Sequence, residues 1–169
     1  AQARLLRPDL KLVLVGDGPA RPELQAQAPD VIFTGALDRQ ALARHYASAD
    51  VFGFPSQTET FGNVVLEAMA SGLAVLAFDY AAASEFIAPG RNGLLSPLDD
   101  DESFVRQLAE LAQNDALRGQ LRAAARETAR QCDWSGIVAQ VESVMKLAIA
   151  EHLSNGGGGA YPSIASQPA

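Results

Sequence analysis

The sequence predicts an α/β protein with a Rossmann-like parallel sheet and helices on both faces. Short apolar runs alternate with segments of helical periodicity, and turn-forming residues follow the runs. Several runs are continuously apolar, which fits strands that are buried on both faces of a parallel sheet. Because a helix separates consecutive strands, we expect right-handed crossovers between parallel neighbours.

The apolar runs predict five strands. They are residues 11–15, 31–34, 51–54, 74–78 and 94–95. Most are closed by residues that break a strand, namely Gly16, Gly35 and Pro55. The run at residues 74–78 contains only apolar side chains, so it is expected to be a fully buried strand.

The segments between and after the strands predict helices. They are residues 21–28, a helix from about 38, one from about 61, residues 82–87, one led by 99–102, and residues 116–130 and 135–153. Asp38 is the expected N-cap of the second, whose inward positions are Leu42, Tyr46 and Ala49. We expect one domain over residues 1–153. Residues 154–169 include four consecutive glycines, which predicts a disordered tail.

Composition excludes several classes of protein. The 169 residues are 48% hydrophobic and 20% charged, which is ordinary for a globular domain. A net charge of −7 argues against a nucleic-acid binder, which needs a basic face to neutralise phosphates. Cys132 is the single cysteine, and no apolar run is long enough to span a bilayer. We therefore expect a cytoplasmic protein, with peripheral association at the inner face of the membrane left open.

Residues 55–72, PSQTETFGNVVLEAMASG, are the stretch most informative about function. They form the end of a strand, a polar loop and the start of a helix, whose unpaired N–H groups suit a phosphate. Gly62 permits close backbone approach to a ligand. Glu59 and Glu67 would repel phosphate, so we expect them to accept hydrogen bonds from hydroxyls. A phosphate flanked by two polyols describes a sugar nucleotide.

This stretch resembles the signature of retaining GT-B glycosyltransferases of the glycogen-synthase and mannosyltransferase-like superfamily. The matching features are Pro55-Ser56, the pair Glu59 and Glu67, Phe61-Gly62, and LEAMA at residues 66–70 followed by Gly72. The resemblance covers residues 8–150 and implies the donor-binding C-terminal half. It implies transfer of a hexose from a GDP-mannose-like or UDP-sugar donor to a glycan, lipid or small-molecule hydroxyl, with retention and without metal or cofactor.

The resemblance also implies roles for single residues. Glu67 would bind the nucleotide ribose, and Glu59 would contact the donor sugar at the reacting centre as the catalytic residue. The remaining candidates are Thr60, Phe61, Gly62 and Asn63 at the phosphates or sugar, Gly16 near the nucleotide, and Leu37 to Arg39 at the base. Gly16-Asp17-Gly18 is not a dinucleotide fingerprint, because Arg21 stands where its third glycine would be.

Three alternatives accompany this interpretation. Asp99-Asp100-Asp101 contains a D-x-D that binds metal in another glycosyltransferase fold, but its place at a helix start favours capping. A sugar-nucleotide epimerase or sugar phosphorylase would share the fold, although the glutamate pair favours the transferase. A non-catalytic nucleotide-binding or scaffold module would keep the fold without donor chemistry.

The family's strand order predicts an open slot in the sheet. In that order a strand lies between those at residues 11–15 and 51–54, followed by a diphosphate-binding Arg and Lys. We expect this strand and the family's N-terminal domain to be missing here. The two flanking strands would either pair directly or keep unpaired edges. The chain alone is then expected to be marginally stable, inactive and prone to pairing with another chain.

Overall fold

The computed structural model describes residues 9–58, 63–132 and 134–154. In this part of the chain the strands are β1 (Val13–Val15), β2 (Ile32–Gly35), β3 (Val51–Phe54), β4 (Ala74–Phe78) and β5 (Leu94–Ser96). The helices are α1 (Arg21–Gln27), α2 (Arg39–Ser48), α3 (Asn63–Ala70), α4 (Ala81–Phe86), α5 (Asp101–Gln113), α6 (Asp115–Gln131) and α7 (Trp134–Ser154). The predicted alternation is confirmed, and most ends differ from the predictions by one or two residues.

The strands form two parallel sheets rather than one. β1 pairs with β2, with Val13 opposite Ile32, while β3, β4 and β5 form a three-stranded sheet with β4 in the centre. Within the described residues β1 pairs only with β2, and β3 only with β4. Of the two predicted outcomes, direct pairing of β1 with β3 therefore does not occur there.

β4 is the centre of the core, with side chains buried on both of its faces. Val75 and Ala77 point into a cluster with Val65 and Met69 of α3. Leu76, on the other face, joins a cluster with residues of α5, among them Phe104 and Leu111. Burying a large apolar side chain of this kind contributes about 1.5–3 kcal/mol. The predicted arrangement of helices on both faces is therefore confirmed for this sheet.

The prediction that the first strand is buried on both faces is wrong for the described residues. Residues 12–15 are 38–44% exposed, whereas residues 74–78 of β4 are at most 2% exposed. Both segments are continuous apolar runs, so their sequence pattern is the same. They differ because β4 has a paired strand on each side and packed helices on both faces, and β1 has a pairing partner on one side.

α3 is fixed at its C-terminal end by a glycine in the left-handed region. Gly72 has φ +77°, its N–H donates to the Met69 carbonyl at 2.9 Å, and the Leu73 N–H donates to the Ala68 carbonyl at 3.1 Å. This pair of bonds is a Schellman motif, which satisfies carbonyls at the helix end. Arg122 of α6 donates to the Gly72 carbonyl at 2.6 Å. The end of the helix is therefore held by both local and tertiary hydrogen bonds.

The chain divides into two compact units, with the boundary after Gln131. The strands and helices α1 to α6 belong to the first unit, and α7 to the second. None of the helices that the structure describes, α7 included, is both long and apolar enough to cross a membrane. Of residues 154–169, predicted to be a disordered tail, Ser154 is the last residue of α7 and residues 155–169 lie outside the described residues.

Candidate nucleotide-sugar site

Glu67 lies on the exposed face of α3, as the sequence predicts. The buried face of this helix consists of Val65, Ala68 and Met69, each with 0% exposure. Glu67 follows the opposite side, together with Asn63 one turn earlier, and both side chains are exposed. The carboxylate is therefore accessible to a ligand, while its helix is anchored by the core behind it.

Tyr46 of α2 is close enough to Glu67 for the charge of that carboxylate to act on its phenol. Its ring is half-buried and lies 5.8 Å from the ring of Phe52, at an interplanar angle of 55°. Burial and then the negative charge of Glu67 raise the pKa of Tyr46 above its ordinary value of 10.0. The hydroxyl therefore keeps its proton at neutral pH and remains a donor.

Sequence reasoning placed Tyr46 inward on α2 but gave it no role at the site. Tyr46 and Glu67 lie on two helices that are separated in the chain by β3. Helical periodicity identifies the side of each helix that faces the core, but it does not show which residue of a second helix lies opposite. A tyrosine at an inward position is the only signal the sequence carried.

The loop that precedes α3 is described as far as Thr58. The Ser56 hydroxyl donates to the Thr58 carbonyl at 2.8 Å, and the Gln57 amide donates to the Asp99 carboxylate at 2.6 Å. The other predicted members of the site, Glu59, Thr60, Phe61 and Gly62, lie outside the described residues. Their predicted roles therefore stay predictions.

The acidic run at residues 99–101 stands at a helix start, as predicted, but its three carboxylates have different positions. Asp100 is the N-cap of α5, and its carboxylate accepts from the Ser103 N–H at 2.8 Å. Asp101 lies in the first helical turn, where a carboxylate complements the helix dipole. Asp99 does not cap the helix: it has φ +63° and holds Gln57 instead. Among the residues that the structure describes, no three acidic, histidine or cysteine side chains form a metal-binding group.

Gly16, Leu37 and Arg39 lie at the carboxyl ends of the first two strands. Gly16 follows β1 with φ +129°, and its N–H donates to the Gly35 carbonyl at 3.0 Å. Leu37 is half-buried in the connection from β2, and Arg39 is exposed as the first residue of α2. Asp38 caps α2 by accepting from the Ala41 N–H at 2.7 Å, which confirms the predicted cap. These candidates lie at the end of the β1–β2 sheet, whereas Asn63 and Glu67 lie on α3, which packs on the sheet formed by β3, β4 and β5.

The Gly16-Asp17-Gly18 segment is a tight turn, as expected. The Asp17 carboxylate accepts from the Gly18 N–H at 2.9 Å and from the Arg21 guanidinium at 3.0 Å. Arg21 in turn lies across Gly35, where a Cβ would stand 2.9 Å from its nitrogen. The polar side chains of this turn are therefore engaged within the turn and with the neighbouring strand.

Comparison with known proteins identifies the family of this chain. Residues 1–114 match the sequence profile of the family described as Glycosyl transferases group 1. The chain is 38% identical over 135 residues to a GDP-mannose-dependent alpha-mannosyltransferase of Corynebacterium glutamicum, covering 80% of this chain and 33% of that protein. It is 50% identical over 96 residues to an enzyme of the same name in Mycolicibacterium smegmatis, covering 57% of this chain and 26% of that protein.

Solved structures share the fold. Sucrose-phosphate synthase of Thermosynechococcus elongatus superposes with a TM-score of 0.75 at 27% identity, over 89% of this chain and 41% of that one. The C-terminal domain of a glycosyl transferase group 1 family protein from Francisella tularensis superposes with a TM-score of 0.71 at 25% identity, over 78% and 73% of the two chains. The α/β fold expected of the C-terminal half of a GT-B enzyme is therefore confirmed. With parallel strands, a signature helix that presents Glu67, and a profile match over residues 1–114, this chain belongs to the glycosyl transferases group 1 family.

Proposed function

We propose that this chain is the donor-binding half of a retaining mannosyltransferase that uses GDP-mannose. Two relatives carry the name GDP-mannose-dependent alpha-mannosyltransferase, and the identity reaches 50% over the 96 residues shared with one of them. The chain spans 33% and 26% of the lengths of these relatives. The donor, the acceptor hydroxyl and the stereochemical outcome are therefore part of the proposal.

The exposed carboxylate of Glu67 is the observation that carries this proposal. It stands on a helix whose back face is fully buried and whose C-terminal end is held by the Gly72 motif and Arg122. Such a carboxylate has room to accept hydrogen bonds from two adjacent hydroxyls, as a ribose offers. A rigid helix supports binding better than a loop would, because less conformational entropy is lost when the ligand binds.

In the proposed reaction, the acceptor oxygen forms a bond to the anomeric carbon of mannose and GDP leaves with the bonding electrons. The acceptor hydroxyl loses its proton in this step, and the departing diphosphate oxygen of GDP takes it up. Negative charge grows on the leaving diphosphate, where the N–H groups in the first turn of α3, which begins at Asn63, would stabilise it. Glu59 would contact the mannose at the reacting centre. No metal takes part in this proposal.

The test uses the natural protein that contains this chain. GDP-mannose and UDP-glucose are offered separately with a panel of glycan and lipid acceptors, and the anomeric configuration of the product is determined by NMR. We expect mannose transfer with retention. Glu67→Ala should weaken binding of GDP-mannose about ten- to a hundred-fold, because a hydrogen bond to a charged group contributes about 1.5–3 kcal/mol.

Glu110→Ala is the matched control. Glu110 is an exposed carboxylate on α5, which packs on the opposite face of the β3–β5 sheet from α3. This variant should bind GDP-mannose as the wild type does. Preference for UDP-glucose would overturn the donor assignment, and inversion would overturn retention. Nucleotide binding without turnover for any donor would favour the non-catalytic module.

A further inference from the structure

We propose that Gln57 and Asp99 are positioning residues for the donor site, acting through the loop between β3 and α3. The Gln57 amide donates to the Asp99 carboxylate at 2.6 Å, across 42 residues of chain. This inference rests on the proposed function, because it takes residues of that loop to contact the donor. It goes beyond that function by assigning a role to the turn between β5 and α5, outside the signature stretch at residues 55–72.

The hydrogen bond joins two connections at the same edge of the sheet. β3, β4 and β5 are parallel with β4 in the centre, so their carboxyl ends face the same way. Gln57 lies three residues after the end of β3, and Asp99 lies three residues after the end of β5. Strands two places apart in a sheet are about 10 Å from one another, so the bonded pair crosses the carboxyl end of β4. This is the edge at which open parallel sheets bind their ligands.

Asp99 is presented by a turn that is held from both sides. The Asp100 N–H donates to the Pro97 carbonyl at 3.1 Å, which closes a four-residue turn with Asp99 at its third position, where φ is +63°. Aspartate accepts this left-handed backbone more readily than most residues do. The Ser96 hydroxyl, buried at the end of β5, donates to the Asp100 carbonyl at 3.2 Å, and the Asp100 carboxylate caps α5. The Asp99 carboxylate therefore has a defined position before it meets Gln57.

Gln57 lies on an exposed loop that gains a fixed point from this bond. The Ser56 hydroxyl donates to the Thr58 carbonyl at 2.8 Å, which orders the loop locally, whereas Gln57 ties it to a separate part of the fold. Glu59, the predicted catalytic residue, follows Gln57 by two residues. Two residues of chain span at most about 7 Å, so fixing Gln57 limits where the backbone of Glu59 can lie. Catalytic groups need such placement to act at the reacting centre.

The test exchanges the two bonded partners in the natural protein that contains this chain. Gln57→Glu sets one carboxylate against another, and because neither donates at neutral pH, the hydrogen bond is lost. Adding Asp99→Asn restores a donor, since the asparagine amide donates to the new glutamate. Both substitutions keep the size of the side chain, and the double variant has the net charge of wild type. The measurements are kcat and KM for mannose transfer from GDP-mannose, with thermal unfolding of each variant.

We expect Gln57→Glu to lower kcat at saturating GDP-mannose about three- to tenfold. The double variant should return to within about twofold of the wild-type kcat. Asp99→Gly should lower kcat as Gln57→Glu does, because glycine keeps the turn at φ +63° and removes the acceptor.

Asp101→Asn is the matched control. Asp101 is an exposed carboxylate of the same acidic run, in the first turn of α5, so this variant loses the same charge without touching the bonded pair. It should keep the wild-type kcat. A fall in kcat for this variant equal to that of Asp99→Gly would show that charge near the site matters and the hydrogen bond does not.

Different failures have different meanings. If Gln57→Glu keeps the wild-type kcat, or if Asp99→Asn does not restore it, the positioning role is wrong while the proposed function stands. The role is also wrong if kcat falls only in proportion to the fraction of protein that thermal unfolding shows to be unfolded. If wild type transfers no mannose from GDP-mannose, the proposed function fails and the inference fails with it.

Discussion

Adjacent residues of α3 lie in different environments, one exposed and the others buried. Their substitution should therefore affect different properties, ligand binding in one case and stability in the other. Glu67 is exposed, whereas Ala68 and Met69 have 0% exposure. The cause is the 100° turn per residue of an α-helix, which carries neighbouring side chains to different faces. A change on the exposed face should affect the ligand, and a change on the buried face should affect the fold.

We therefore expect Glu67→Ala to leave the free energy of unfolding within about 0.5 kcal/mol of wild type while donor affinity falls. Met69→Ala should lower the free energy of unfolding by about 2–5 kcal/mol, because it opens a cavity beneath β4. Urea titration followed by circular dichroism measures both variants. A large loss of stability in Glu67→Ala would show that its side chain has a structural role.

Substitution of Glu59 tests its predicted role at the reacting centre. If it contacts the donor sugar where the bond breaks, Glu59→Ala should reduce turnover more than it reduces donor affinity, since it acts in the transition state. Steady-state kinetics combined with donor titration separate the two effects. Equal losses in binding, with turnover retained at saturating donor, would make Glu59 a binding residue only.

The Tyr46 hydroxyl gives the folded protein a dependence on alkaline pH. Its pKa is raised by burial first and by Glu67 second, so the folded state holds this proton more tightly than the unfolded state does. The stabilisation is complete below about pH 10 and is lost as the pH rises through the raised pKa. Tyr46→Phe should remove this part of the alkaline decline in the urea midpoint.

Glu67→Ala provides the comparison for the alkaline experiment. It removes the influence of Glu67 on the pKa of Tyr46 but leaves the burial of the ring. The alkaline decline should therefore be reduced in this variant and not abolished. An identical decline in wild type and Tyr46→Phe would contradict the contribution of Tyr46.

At the scale of secondary-structure elements, the three consecutive aspartates at the start of α5 have different structural roles. Asp100 caps the helix through the Ser103 N–H, Asp101 lies in its first turn, and Asp99 turns back to Gln57. The left-handed backbone at Asp99, with φ +63°, separates its carboxylate from the other two. The acidic run therefore begins a helix and fastens the loop that leads towards α3.

Asp100→Ala should lower the free energy of unfolding by about 1 kcal/mol, the usual cost of an N-cap lost to alanine. Turnover measured at saturating donor should not change, and EDTA should leave the activity intact. Asn at the same position keeps a capping oxygen and should restore stability. Activity that is lost with EDTA and regained with manganese would show that the transferase requires a metal.

At the scale of the whole molecule, the two sheets differ in how well they are covered. The side chains of β4 are at most 2% exposed, while Leu12 to Val15 are 38–44% exposed. A strand with exposed apolar side chains and an unpaired edge favours association with another chain. Within the described residues, β1 has such an edge on the side away from β2.

We expect the 169-residue chain to self-associate as its concentration rises, as measured by sedimentation velocity. Val13→Thr combined with Val15→Thr should reduce this association, because threonine keeps the shape and strand preference of valine but presents a hydroxyl. Val75→Thr, in buried β4, is the contrasting control and should destabilise the fold. Association unchanged by the paired substitution would exclude β1 as the contact.

The sequence by itself determined the order of strands and helices, the parallel pairing and the buried face of α3. These features follow from periodicities of two and 3.6 residues that backbone geometry imposes on any chain. The caps Asp38 and Asp100 were also accessible, because capping acts over three residues. The family signature predicts that Glu67 is a site residue, and its exposure on α3 agrees with that prediction, which stays untested.

Only the tertiary structure decided the contacts that cross the chain. The sequence did not show that the charge of Glu67 would raise the pKa of Tyr46, or that Asp99 holds Gln57 across 42 residues. Nor did it separate β1 from β4, whose apolar runs look alike but whose burial differs. The local pattern of apolar and polar residues predicts which side of a helix or strand is buried. Which groups meet there depends on how the elements are stacked, because packing is a property of pairs of elements and not of either one alone.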